Sequence, residues 1–80
     1  MNIVSLNQMA AGQKGRVHDL SGSPEIAERL LEMGLTQGTP VEVVRFAPMG
    51  DPIDIRFRGY HLSLRKKEAE VVQINLDLSQ

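Results

Sequence analysis

Apolar and polar residues alternate with a period of two along three stretches of this chain and with a helical period along a fourth. Ile53, Ile55 and Phe57 alternate with Asp54, Arg56 and Arg58, and Tyr60, Leu62 and Leu64 alternate with His61, Ser63 and Arg65. A strand points successive side chains to opposite faces, so each stretch predicts a strand with one buried face. Gly59 supplies the tight turn between them. Val41, Val43 and Arg45 alternate with Glu42, Val44 and Phe46, which predicts a strand apolar on much of both faces. Shorter strands are predicted over residues 16–20, opened by Gly15 and broken by Ser21-Gly22, and over residues 71–76.

The helix is marked at both ends. Ser23 can cap it, Pro24 stands at its first position and Glu25 places a negative charge in its first turn. Gly34 ends it, because glycine adopts a left-handed conformation without steric cost. Leu35 then falls where a Schellman motif wants an apolar contact back to Leu30. At 100° per residue, Met33, Ile26, Leu30, Ala27 and Leu31 fill an arc of roughly 160°, opposite Glu25, Glu28, Arg29 and Glu32. That arc is wider than one-sided packing needs, so Leu31 and Met33, at its two edges, are either core margin or a partly exposed contact surface. Residues 6–12 read as a short helical turn with Asn7 as its cap and Gly12 as its stop, and residues 66–69 as a single helical turn. Five short strands with tight connections favour a small closed barrel over an open sheet. The predicted fold class is all-β with a small helical insertion, in one domain over residues 1–80.

Between two of the strands, residues 47–52 pack Pro48, Met49, Gly50, Asp51 and Pro52 into one tip. Each proline drives the residue before it toward extended geometry, and Gly50 admits a positive φ. The tip reads as a hairpin turn that sets strand register, or as a stiff docking surface carrying Met49 and Asp51. The candidate partner-binding residues are therefore Leu31, Met33, Met49 and Asp51. Arg56, Arg58, Arg65, Lys66 and Lys67 lie on outward phases. They read as a face for an acidic partner or as a solvated surface balanced by Asp51, Asp54, Glu68 and Glu70.

Composition narrows the chemistry. Eighty residues form one small domain, which buries only about 60–65% of its unfolded surface and leaves little room for a deep catalytic cleft. A net charge of −1 and a pI near 6.1 argue against broad nucleic-acid binding. No apolar run approaches the ~20 residues of a membrane span, and the first residues have neither a basic start nor an apolar stretch, so neither membrane insertion nor a signal peptide is expected. The absence of cysteine removes disulfides, thiolate sites and thiol nucleophiles. Gly34, Gly38, Gly50 and Gly59 form no phosphate-binding pattern and read as turn and cap glycines. His18 and His61 lack the partners of a four-ligand zinc site, and the carboxylates are too scattered for a hard cation. Serines 5, 21, 23, 63 and 79 read as caps, turns and an outer strand face. The expectation is a cytosolic non-enzyme with no cofactor, metal site or catalytic residue.

Three segments carry a family resemblance: Arg29-Leu30-Leu31-Glu32-Met33-Gly34-Leu35 with Gln37-Gly38-Thr39, the tip from Arg45 to Ile53, and Leu62-Ser63-Leu64-Arg65 with Ala69. Together the chain resembles the FeoA family over residues 6–72. The resemblance implies an SH3-like barrel with a helix inserted after the first strand. It also implies a cytoplasmic accessory to FeoB, the ferrous-iron permease with a cytoplasmic GTP-binding domain, acting on its G domain or its assembly. The alternative is a stand-alone relative of the SH3-like C-terminal domain of DtxR-type metal-dependent repressors, whose helix-turn-helix a chain of this length would lack. A polyproline-binding SH3 module wants an aromatic groove that one Tyr and two Phe supply poorly. An RNA-binding barrel is disfavoured by the acidic pI.

Overall fold

The computed structural model describes residues 2–77; Met1 and residues 78–80, Ser79 among them, lie outside the described residues. Six strands form one antiparallel sheet: β1 (Ile3–Ser5), β2 (Lys14–Leu20), β3 (Pro40–Phe46), β4 (Ile53–Phe57), β5 (Tyr60–Leu64) and β6 (Val72–Leu76). They lie in the order β1-β6-β2-β3-β4-β5. Helix α1 (Pro24–Glu32) links β2 to β3, and the short α2 (Lys66–Ala69) links β5 to β6. A 3-10 turn, Leu6–Gln8, follows β1 and packs against α2.

The architecture is the small all-β fold with one helical insertion that the alternation predicts, with three differences. There are six strands rather than five, and α1 follows the second, because β1 is a three-residue strand that the sequence does not mark. The ladder does not close: among the described residues, β1 pairs with β6 and β5 pairs with β4, but not with each other. In the turn after β1, Ser5 rather than Asn7 is the cap, its N–H donating to Gln8 Oε1 at 3.0 Å. Asn7 lies inside the turn with its Oδ1 buried and unpaired.

Two register shifts explain where the alternation fails. Between β2 and β6 the pairing slips at His18, and between β3 and β4 it slips at Val44. Each extra residue leaves two consecutive side chains outside, His18 with Asp19 and Val44 with Arg45. Each then returns an apolar residue toward the core, Leu20 and Phe46 respectively. The apolar look of both faces of β3 is therefore the signature of a bulge.

Leu30, Leu35, Val43, Ile55 and Ile74 are fully buried at the centre, where α1 packs on the sheet. Ser23 Oγ accepts from the Ile26 N–H at 3.5 Å, and Pro24 opens the helix as the sequence predicts. Its end is the predicted Schellman motif: Leu35 N–H donates to Leu30 O at 3.1 Å and Gly34 N–H to Leu31 O at 3.0 Å, with Gly34 at φ 105°. The hairpin β4–β5 turns through Arg58 (φ 51°) and Gly59 (φ 80°), a two-residue turn with both centres left-handed. Arg58 then reaches back to α1. Its Nε donates to Gly34 O at 3.2 Å, and Nη2 donates to Thr36 Oγ1 at 3.2 Å and Thr39 Oγ1 at 3.1 Å. A cation is thus held on the carbonyl end of the helix, where the backbone dipole favours it.

Candidate docking surface

The tip between β3 and β4 is crossed by two backbone hydrogen bonds, and Met49 at its apex is 92% exposed. Ala47 N–H donates to Pro52 O at 3.0 Å and Gly50 N–H to Ala47 O at 2.7 Å, with Gly50 at φ 85° and a cis Asp51–Pro52 bond. Asp51 has a second task. Its Oδ1 accepts from the Lys66 N–H at 3.0 Å and so ties the tip to the first turn of α2. The pair Met49 and Asp51 therefore divides into an exposed apolar apex and a structural tie.

Leu31 (46% exposed) and Met33 (39% exposed) stand at opposite edges of the α1 arc, as the wheel places them. Met33 faces the end of the β4–β5 hairpin. There it lines a groove of about 330 Å³ with Phe57, Tyr60, His61 and Leu62. Tyr60 is 67% exposed and leans on buried Phe57, with ring centroids 6.4 Å apart. Leu31 does not line this groove. Met49 lies beyond the other end of β4, five residues or roughly 15 Å away along the strand. The four residues nominated from sequence therefore do not converge on one surface, and of them Met33 lines this groove.

Tyr60 and Leu62 were not candidates, because their strand phase places them with the core-facing side chains. That phase is right, but the core ends at Phe57 and Leu64. Beyond it, inward-facing side chains look into the open groove beneath Met33. The available signal was Tyr60 itself, the chain's lone tyrosine, placed directly after the turn at the end of a sheet.

The basic residues do not form one face. Arg56 binds Glu42, Arg45 Nε donates to Asp54 Oδ2 at 2.9 Å, and Arg29 of α1 pairs with Glu68 of α2. A second, more polar groove of about 610 Å³ brings Lys14, Arg16, Arg56 and Arg58 together with Glu42 and Asp77. It adjoins the first, since Phe57 lines both. The hydrogen bond from Arg56 holds the Glu42 carboxyl below its ordinary value of 4.5, and those from Ser63 and then Arg45 hold Asp54 below its ordinary 3.8. A carboxyl depressed in the folded state binds protons more readily when unfolded. Its contribution is complete above its ordinary value and fades as pH falls below it. A small loss of thermal midpoint is expected on acidification below about pH 4, with Glu42→Gln and Asp54→Asn each flattening that slope in calorimetric scans.

Among the described residues, no group of three or more His, Cys, Asp and Glu side chains stands close enough to hold a metal ion. His18 lies at the β2 bulge and His61 on β5, both exposed. No described helix is long and apolar enough to cross a membrane.

Comparison with known proteins gives the geometry its family. The FeoA domain profile matches residues 4–76. Over 71 residues the chain is 31% identical to the Fe(2+) transport protein A/Fe(2+) transporter FeoB fusion protein of Porphyromonas gingivalis, covering 89% of this chain and 8% of that one. The FeoA-like protein of Clostridium acetobutylicum superposes with a TM-score of 0.91 at 34% identity, covering 100% of this chain and 93% of that one. FeoA of Stenotrophomonas maltophilia, an SH3-domain protein solved with zinc, superposes at 0.74 with 28% identity, covering 90% and 89%. A manganese-dependent transcriptional repressor shares the fold at a TM-score of 0.87 and 15% identity, with 96% of this chain spanning 38% of that one. At that identity the likeness is one of fold. With the profile spanning nearly the whole described chain, the protein belongs to the FeoA family, the small SH3-like proteins of ferrous-iron transport.

Proposed function

We propose that this chain is a non-enzymatic, cytoplasmic accessory of bacterial ferrous-iron uptake. It docks on the cytoplasmic region of an FeoB-type GTPase-permease and supports the permease's assembly or activity. The observation that carries this reading is the fusion relative, in which Fe(2+) transport protein A and the FeoB transporter share one chain. A covalent link of this kind sets an effective concentration on the order of millimolar, which serves a contact too weak to persist alone. The groove beneath Met33 suits such a contact. It is small and apolar, and its exposed tyrosine and methionine resemble the anchors that dominate interface energies. The two carboxylates with lowered pKa are both paired to arginines, which supports a structural role for them.

The test is complementation of ferrous-iron uptake in cells lacking the chain, with folding of each variant checked by circular dichroism. Met33→Lys places a cation at the helix C-terminus, where the dipole tolerates it, and is expected to stay folded while losing uptake and co-purification with the transporter. Met49→Asp alters the tip without touching the Asp51 tie. If Met49→Asp abolishes uptake and Met33→Lys does not, the docking surface is the tip. If all folded surface variants support uptake, the docking reading is wrong.

A further inference from the structure

Strand β5 is an edge of the sheet: it pairs with β4 on one side and with nothing described on the other. The two-residue turn makes Phe57 and Tyr60 a mutually hydrogen-bonded pair, and antiparallel ladders alternate. Leu62 with Ile55 and Leu64 with Ile53 are then the other bonded pairs. The N–H and C=O groups of His61 and Ser63 therefore point away from β4, and both residues are exposed. No backbone hydrogen bond within the described residues satisfies them. His61 also borders the apolar groove, so the open edge and the concavity are one surface.

We infer that this edge receives an extended segment of the partner as an added strand. The inference rests on the docking reading above and specifies its mode. A strand laid beside β5 would satisfy the outward groups of His61 and Ser63 and direct every second side chain into the groove between Leu62, Tyr60 and Met33. The segment is apolar at those alternate positions. It is acidic where it reaches the hairpin end, because the adjoining groove gathers Lys14, Arg16, Arg56 and Arg58 against Glu42 and Asp77. Only an extended chain has main-chain groups at the spacing of this edge, which distinguishes it from a helix or a rigid surface.

The probe is the purified cytoplasmic region of the cognate FeoB-type transporter. His61→Pro removes one outward N–H from an edge strand, a position that admits proline without breaking the β4–β5 ladder, while His61→Ala keeps that N–H. His61→Pro and His61→Ala both lose the imidazole that borders the groove, and His61→Pro is expected to bind about tenfold or more weaker than His61→Ala because it alone lacks the outward N–H. Should His61→Pro fail to fold, amide exchange on the native chain decides. The His61 and Ser63 amides should exchange rapidly in the free protein and be slowed by about tenfold or more in the complex. Equal binding by His61→Pro and His61→Ala, or unprotected amides in a formed complex, overturns strand addition while leaving the docking reading intact. No binding by the native chain overturns the docking reading itself. Protection of these amides that grows with the concentration of this chain alone makes a second copy the occupant and overturns the proposal. Rising ionic strength should weaken the complex, and insensitivity to salt overturns the acidic complement.

Discussion

Gly15→Val is expected to yield a chain with no cooperative thermal transition, and Gly15→Ala one whose midpoint falls by roughly 10 °C or more. Gly15 lies between β6 and β3, paired with Leu76 on one side and Val41 on the other. A Cβ built there would stand 2.5 Å from Ile74 Cγ2 and 2.7 Å from the Asn75 carbonyl oxygen. Ile74 is fully buried and cannot swing aside, and the carbonyl belongs to the neighbouring strand. The added carbon must therefore push β6 away from β2 and separate the two halves of the sheet. Overpacking of this kind costs about 1–3 kcal/mol before any ladder hydrogen bond is lost. A domain of this size has about 3–5 kcal/mol in all. A Gly15→Ala variant melting with the native chain would show that β6 leaves room for a side chain at residue 15.

Gly34→Val is expected to lower the midpoint by roughly 5–15 °C for a different reason. A Cβ at Gly34 meets only ordinary contacts, Phe57 Cε2 at 3.5 Å and Arg58 Nε at 3.6 Å, so space is not the obstacle. The obstacle is φ 105°, a conformation that costs an L-residue about 1–2 kcal/mol and a β-branched one more. Escaping it would undo the Schellman bonds and move the carbonyl that Arg58 holds. A chain synthesised with D-alanine at this position should keep its midpoint, because positive φ is ordinary for the D-form. Equal melting of the valine variant and the native chain would place residue 34 outside the left-handed region.

These two glycines mark the limits of what the sequence reveals. Gly34 was legible because a cap, an apolar arc and a following leucine converge on it, and local rules suffice when the relevant partners lie within six residues. Gly15 reads only as the start of a strand; its tightness depends on β6, some sixty residues away, and no local pattern carries that. The bulges at His18 and Val44 were hidden for the same reason, since a register shift is a property of two strands. β1 escaped because three residues, Ile3-Val4-Ser5, are too few to show a period. Arg58 looked like one more outward cation, although it is the turn residue that holds the end of α1.

The candidate docking surface was half legible. Helical periodicity placed Met33 at an exposed edge, but the groove exists only because the hairpin β4–β5 extends past the core and carries Tyr60 and Leu62 beneath that edge. Tip chemistry identified Met49 as exposed, and the structure adds that its neighbour Asp51 is committed to α2.

Under the proposed function, this chain binds the transporter through the groove beneath Met33. Calorimetric titration of the transporter's cytoplasmic region, with and without guanine nucleotide, tests it most directly. The expected result is saturable binding that Met33→Lys and Tyr60→Ser each weaken by roughly tenfold or more while both variants melt within a few degrees of the native chain. Absence of binding in either nucleotide condition, or binding that both folded variants leave unchanged, would contradict it.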